Sequence, residues 1–182
     1  ARGAKVVLKG DAFAAAAEHA QELINEHGYT YIPPFDDIDV VAGQGTIGVE
    51  ILRQHGGRLD AIFIPVGGGG LIAGVAAYVK YLRPDIKIIG VEAEDSACLK
   101  AAMEAGERVV LDQVGVFAEG VAVAQIGEVP FSLVRDLVDD VITVNTDEMC
   151  AAVKDIFEDT RAVAETSGAL SLAGLKKYVQ QT

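Results

Sequence analysis

Four consecutive glycines, Gly67 to Gly70, are the strongest candidate for a binding site in this sequence. They follow the apolar run Ala61 to Val66, which has the length of a buried strand, and they precede a helical pattern from Leu71 to Leu82. At such a junction free backbone N–H groups meet the positive end of the helix dipole, and glycines have no Cβ to block an anion. The pattern therefore predicts a phosphate site. No Gly-Lys-Ser or Gly-Lys-Thr ending follows, so the loop is not the P-loop of ATPases.

Two alternatives stay open for the glycine-rich segments. The four glycines could serve only close packing of strand against helix, although packing alone seldom requires four in a row. Gly43 to Gly48 has the spelling of a dinucleotide fingerprint, but an acidic, proline-broken stretch precedes it, so we interpret it as a helix start whose glycines allow close packing. Glu92, about 25 residues beyond the four glycines, keeps nucleotide binding open because an acidic residue there could bind a ribose.

Ser167 is the second candidate residue. It stands before a helical pattern that runs to about Val179, and most serines in such a position cap the helix. Taken alone, the pattern therefore favours an N-cap role for this hydroxyl.

Histidines and cysteines offer little chemistry: His19, His27 and His55 have no metal-ligand spacing, and Cys98 and Cys150 are expected to be buried small apolar residues.

Strand and helix patterns alternate along the chain, which predicts an α/β fold around a mainly parallel sheet. The predicted strands are Lys5 to Lys9, Tyr29 to Ile32, Ala61 to Val66, Ile86 to Val91 and Val141 to Val144. The predicted helices are Asp11 (as cap) to Glu26 with Gly28 as terminator, Gly43 to Gln54, Leu71 to Leu82, Ser96 to Ala105 with Gly106 past its end, Phe131 to Leu137, and Asn145 to Phe157 with a cap from Asn145 and Glu148. A last helix is predicted to begin after Ser167 and to run to about Val179. The acidic stretch Phe35 to Asp39 is interpreted as a crossing between domains.

The composition excludes several classes of partner. Fifteen Lys and Arg against 27 Asp and Glu give a net charge of -12, which repels nucleic acids and anionic lipid surfaces. No apolar run is long enough to cross a bilayer, and no segment resembles a signal peptide. We expect a cytoplasmic protein that binds a small molecule, without nucleic acid or membrane partners.

Five segments then carry a family resemblance: Val40 to Thr46, Pro65 to Gly74, Val91 to Cys98, Phe117 to Val123 and Ser167 to Ala169. Together and in this order they resemble biosynthetic threonine dehydratases (threonine ammonia-lyases). The resemblance implies the three-layer, mainly parallel α/β fold of the fold-type II pyridoxal phosphate enzymes, as in the tryptophan synthase β subunit. It also implies a β-elimination and deamination of L-threonine, less well of L-serine, to 2-oxobutanoate and ammonia in isoleucine biosynthesis, by a tetrameric or dimeric homo-oligomer.

The resemblance assigns roles to individual residues. It implies that Gly67, Gly68, Gly69, Gly70 and the amide of Leu71 hold the phosphate of pyridoxal 5′-phosphate, and that Ser167 bonds the pyridine nitrogen. Glu119 and Gly120 would lie in the loop that passes the cofactor ring. A neutral hydroxyl at the pyridine nitrogen suits β-elimination, because it leaves the ring uncharged and a weaker electron sink than a carboxylate would.

The family's Schiff-base lysine follows a serine in a Ser-x-Lys segment, and none of the eight lysines here has a serine two residues before it. We therefore expect an incomplete, later part of a catalytic domain: residues 1–36 as the end of the smaller domain, residues 37–182 as the larger cofactor-binding domain, and no activity from this chain alone. Thr166 stands where relatives commonly have proline. Cys98 stands where some relatives have a metal-binding aspartate, so no metal site is expected. The alternative is a noncatalytic phosphate- or nucleotide-binding α/β domain.

Overall fold

The computed structural model describes residues 3–10 and 13–181. The chain divides into two compact units, Ala1–Pro33 and Pro34–Thr182. In the first unit the helix α1 spans Phe13–His27 and ends at Gly28, whose φ of 70° is left-handed as predicted for a helix terminator. Asp11, the expected cap of this helix, lies outside the described residues.

Two predicted strands of the first unit are wrong. Residues 4–9 and 29–32 have no strand structure, and Leu8 and Ile32 are 90% and 74% exposed. A strand exists only when a neighbour pairs with its backbone, and within the described ranges no segment of this unit does so. The apolar, β-branched or aromatic residues of these segments favour an extended backbone, but no neighbouring strand pairs with them among the described residues.

The second unit is built on a parallel sheet with strand order β1-β2-β3. The strands are β1 (Ala61–Pro65), β2 (Lys87–Ala93) and β3 (Asp140–Val144). Ala61 pairs with Lys87 at one ladder and Ile89 with Asp140 at the other. Parallel neighbours need a crossover connection, usually helical, which agrees with the alternation of strand and helix in the sequence.

Six α-helices of the second unit surround this sheet in the part of the chain that is described. They are α2 (Ile38–Gln54), α3 (Gly70–Leu82), α4 (Cys98–Ala105), α5 (Glu128–Leu137), α6 (Thr146–Thr160) and α7 (Thr166–Gln181). Short 3₁₀ turns occupy Glu94–Ser96 and Glu119–Val121. None of the helices within residues 3–10 and 13–181 has the length and apolarity that a bilayer crossing requires.

The hydrophobic core forms one cluster on each face of the sheet. Ile64 belongs to the cluster made with α2, α3, α4 and α5, whereas its neighbour Phe63 packs into the cluster made with α6 and α7. Neighbouring residues of a strand point to opposite faces, so the sheet is covered on both sides. This is the three-layer α/β arrangement that the family resemblance implies.

Helices α2 and α3 pack at close range through glycines. A Cβ built on Gly74 would lie 2.2 Å from the carbonyl oxygen of Val41, and one on Gly45 would lie 3.0 Å from the carbonyl oxygen of Gly74. The predicted packing role is confirmed for Gly45 and Gly48, whereas Gly43 is exposed and a Cβ there would meet no described atom within 4 Å. The predicted helix start at Gly43 is wrong, because α2 begins at Ile38, where Asp37 accepts two backbone N–H groups as its N-cap.

The ends of α6 show one correct prediction and one error. Asn145 and Glu148 form the predicted capping box, each side chain accepting the other's backbone N–H. Cys150, expected to be buried, is exposed on the same helix. A helix of this kind buries one stripe only, and Met149 and Ala152 supply that stripe here.

Candidate functional site

The glycine loop leaves β1 and begins α3. Val66 still donates to the carbonyl of Val91 at 2.9 Å, which extends the pairing of the sheet to the edge of the loop. Gly69, with φ of 89°, is the N-cap of α3 and supplies no side chain to cap it. The amides of the first helical turn therefore keep their hydrogen-bonding capacity for another acceptor, and Gly70 and Leu71 are the first two of them.

Close packing surrounds three of the four glycines. A Cβ on Gly67 would lie 2.9 Å from Cα of Val121, and one on Gly68 would lie 2.2 Å from the ring of Phe35. At Gly69 the positive φ strains any other residue as well. Packing thus requires glycines here independently of any ligand, so the packing alternative from the sequence has direct support. It does not conflict with the predicted phosphate site.

Both carbonyls at the start of the loop are held from outside it. The thiol of Cys98 donates to the Gly67 carbonyl at 3.4 Å, and the amide of Gly127 donates to the Gly68 carbonyl at 3.0 Å. In a trans peptide the N–H of the next residue points opposite to the carbonyl. The amides of Gly68 and Gly69 therefore point away from Cys98 and Gly127.

Ser167 does not cap its helix, which corrects the role that its position alone favours. It is the second residue of α7 and only 4% exposed, and its Oγ accepts the backbone N–H of Gly120 at 2.9 Å. The neighbouring Thr166 donates its hydroxyl to the carbonyl of Phe117 at 2.9 Å. Two consecutive side chains thus hold the start of α7 against residues 117–120. A tertiary contact has replaced the local cap.

The 3₁₀ turn Glu119–Val121 joins the two predicted parts of the site. Val121 contacts Gly67 at one end, and Gly120 bonds Ser167 at the other. Residues far apart in the sequence are therefore brought to one short turn. Glu119 itself is exposed, as is Gly120.

Glu92 has a structural role that the sequence did not reveal. Its carboxylate is fully buried and accepts the N–H groups of Leu99 at 2.8 Å and Lys100 at 2.9 Å. These are amides of the first turn of α4, whose N-cap Ala97 has no capping side chain. Burial raises the pKa of Glu92 to about 7, against the lowering effect of these hydrogen bonds. Since the carboxylate caps α4, this geometry does not favour the ribose-binding alternative.

Phe35 and Asp36, which belong to the stretch interpreted as a crossing between domains, contact the site's scaffold. Phe35 packs on Gly68, and Asp36 accepts the N–H groups of Glu128 at 3.0 Å and Val129 at 2.8 Å. Asp36 is thus a cap for α5 from 92 residues away, and only the tertiary structure could reveal it. An acidic residue after a Pro-Pro pair gives no local signal for such a role.

We expect the substitution Asp36→Ala to lower the free energy of unfolding by about 1–2 kcal/mol, because two first-turn amides of α5 lose their acceptor. Urea denaturation followed by circular dichroism measures the change. Asp39→Ala is the matched control, since Asp39 is an exposed first-turn residue of α2 and should cost only a few tenths of a kcal/mol. Equal effects of the two substitutions would contradict the capping role of Asp36.

The arrangement suits a phosphorylated aromatic cofactor. A loop without side chains offers backbone donors at the start of α3, and a buried neutral hydroxyl lies beside the turn that touches this loop. These are two features that a site for a phosphate with an attached ring would need. The chain matches the family described as pyridoxal-phosphate dependent enzymes over residues 1–182, and it belongs to that family.

Three individual proteins illustrate what this chain is similar to. A protein of Salmonella typhimurium described as a biosynthetic L-threonine dehydratase is 58% identical over 179 residues, which are 98% of this chain and 35% of that protein. The structure of processed threonine deaminase isoform 2 from Solanum lycopersicum has a TM-score of 0.91 at 48% identity, covering 96% of this chain and 51% of the other. A serine racemase from Dictyostelium discoideum has a TM-score of 0.85 at 32% identity, covering 99% of this chain and 57% of the other.

These comparisons confirm three expectations from the sequence: the family resemblance, the fold class and the cofactor class. The chain spans about a third of the length of the curated relatives it matches. The roles of individual site residues and the two-domain assignment stay predictions.

Proposed function

We propose that this chain forms the later part of the catalytic domain of a pyridoxal phosphate dependent threonine dehydratase. In this proposal residues 1–36 end the smaller domain and residues 37–182 belong to the larger, cofactor-binding domain. The observation that carries it is the buried Ser167 hydroxyl, which accepts the Gly120 amide on a turn that also touches the glycine loop. The high identity to proteins named threonine dehydratase supports the substrate.

The loop would hold the cofactor phosphate through the amides of Gly67, Gly68, Gly69, Gly70 and Leu71. Held there, the cofactor would supply an electron sink for the α-carbon of the amino acid, which is the chemistry that β-elimination requires. Because Oγ of Ser167 already accepts one hydrogen, its own proton is available for donation to the pyridine nitrogen. A neutral hydroxyl, unlike a carboxylate, would leave that nitrogen uncharged, which suits β-elimination.

The proposal includes a substrate, its products and an assembly state. L-Threonine would be converted to 2-oxobutanoate and ammonia for isoleucine biosynthesis, with L-serine as a poorer substrate, in a cytoplasmic homo-oligomer. Since no lysine of these 182 residues follows the family's Ser-x-Lys pattern, we propose that this chain alone is inactive. Formation of 2-oxobutanoate from threonine at ordinary enzyme rates, with the chain and added cofactor, would refute that part.

A binding experiment tests the site itself. We expect pyridoxamine 5′-phosphate, which has no aldehyde to react with surface lysines, to shift the ¹⁵N–¹H signals of Gly67 to Leu71 and Gly120. Ser167→Ala should weaken this ligand by about tenfold, the value of one buried hydrogen bond, because the ring loses its partner. Inorganic phosphate should bind the variant and the wild type equally, since it has no ring.

The same titration separates the two candidate functions. A noncatalytic phosphate- or nucleotide-binding domain would bind both ligands through the loop and would not respond to the Ser167 substitution. If neither ligand shifts the signals of the glycine loop, both functions lose their common site.

A further inference from the structure

A buried thiol holds one end of the glycine loop. Cys98 is fully buried, and its Sγ lies 3.4 Å from the carbonyl oxygen of Gly67. Burial and, to a lesser extent, the neighbouring Glu92 carboxylate raise the pKa of this thiol to about 12, so at neutral pH it is an S–H donor and not a thiolate. Glu92 is thus a second acceptor beside the thiol, and the Gly67 carbonyl is the one that belongs to the loop. The contact therefore has the chemistry of a weak hydrogen bond to a carbonyl.

The position of Cys98 is itself well determined. It is the first residue of α4, and Glu92 at the end of β2 accepts the amides of the next two residues, Leu99 and Lys100. β2 pairs with β1, the strand that leads into the loop. The start of α4 is thereby fixed to the same sheet that presents the loop, and the thiol has little freedom to move away from Gly67.

A hydrogen bond to the Gly67 carbonyl determines the direction of a neighbouring amide. The carbonyl of Gly67 and the N–H of Gly68 belong to one planar trans peptide and point in opposite directions. Glycines on both sides give this peptide more rotational freedom than any other pair of residues would. Without an external partner, the unit could turn its oxygen toward an incoming anion, which would repel it.

We propose that Cys98 is a positioning residue of the phosphate loop: its thiol holds the Gly67–Gly68 peptide so that the Gly68 amide faces the bound phosphate. This inference rests on the proposed phosphate site. It adds to that site a residue which contacts neither phosphate nor ring and which acts only through the loop's carbonyl.

Three substitutions separate hydrogen bonding from packing. Cys98→Val fills the space of the thiol but has no hydrogen-bond donor. Cys98→Ala removes the donor and leaves the space empty. Cys98→Ser keeps a donor in a slightly smaller side chain. We expect the valine and alanine variants to bind pyridoxamine 5′-phosphate about five- to tenfold more weakly, and the serine variant to recover most of the affinity. The phosphate-induced shift of the Gly68 amide signal should shrink in the first two variants only. Cys150→Ala, on the exposed side of α6, is the control and should match the wild type.

Each outcome decides the inference. Wild-type affinity and an unchanged Gly68 shift in Cys98→Val, or in Cys98→Ala should the valine variant not fold, would overturn the positioning role while leaving the phosphate site intact. A serine variant as weak as the alanine variant would overturn it as well, because packing would then explain the loss. If the wild-type chain binds neither ligand, the proposed function fails, and that result is distinct from the other two.

Discussion

Replacing Gly74 with alanine is expected to destabilise the second unit strongly. The new Cβ would lie 2.2 Å from the carbonyl oxygen of Val41 and 2.6 Å from the amide nitrogen of Gly45. Both are backbone atoms of α2, so no side chain can rotate away and the helices must separate. We expect a loss of about 3 kcal/mol in the free energy of unfolding, measured by urea denaturation.

Separation of α2 from α3 should also displace the glycine loop, because the last glycine of the loop, Gly70, is the first residue of α3. The matched control is Gly43→Ala on the same pair of helices. A Cβ on Gly43 meets no described atom within 4 Å, and the residue is exposed inside α2. Alanine there should raise stability by about 0.5–1 kcal/mol through helix propensity alone. Opposite signs for the two substitutions would establish the close helix contact, and a mild effect at Gly74 would contradict it.

The second large effect concerns Glu92 and pH. Burial raises the pKa of this carboxyl to about 7 in the folded chain, above its ordinary value of 4.5. Between these two values the folded state binds a proton that the unfolded state has lost, so stability from this group is present below pH 4.5 and is lost as pH rises toward and through 7. The loss amounts to about 3 kcal/mol when complete.

Glu92→Gln removes the titration and provides the comparison. Glutamine cannot accept both amides of α4 as the carboxylate does, but that cost is the same at every pH. The variant should therefore gain about 3 kcal/mol relative to the wild type between pH 4.5 and 8, measured by urea denaturation at several pH values. All other titrating groups are shared and cancel in the difference. A difference that does not vary over this range would show that Glu92 keeps one protonation state throughout.

Local sequence patterns predicted most elements of the second unit, because strand and helix formation there depends on residues that are neighbours in the sequence. The apolar run 61–66 and the capping pair Asn145 and Glu148 specify a strand and a helix start through neighbouring residues only. The predictions of two short strands in the first unit were wrong because they depend on a non-local condition. Strand formation depends on a paired neighbour, which residues 4–9 and 29–32 do not have among the described residues.

By itself, the sequence determined the alternation of elements, the loop without side chains and the family to which the chain belongs. Only the tertiary structure decided the use of the polar side chains: Ser167 accepts an amide 47 residues away, Asp36 caps α5, and Glu92 caps α4. The physical reason is that backbone propensity acts within a few residues. The partner of a buried hydrogen-bonding group, in contrast, is chosen by whichever segment the packing of helices on the sheet brings within about 3 Å.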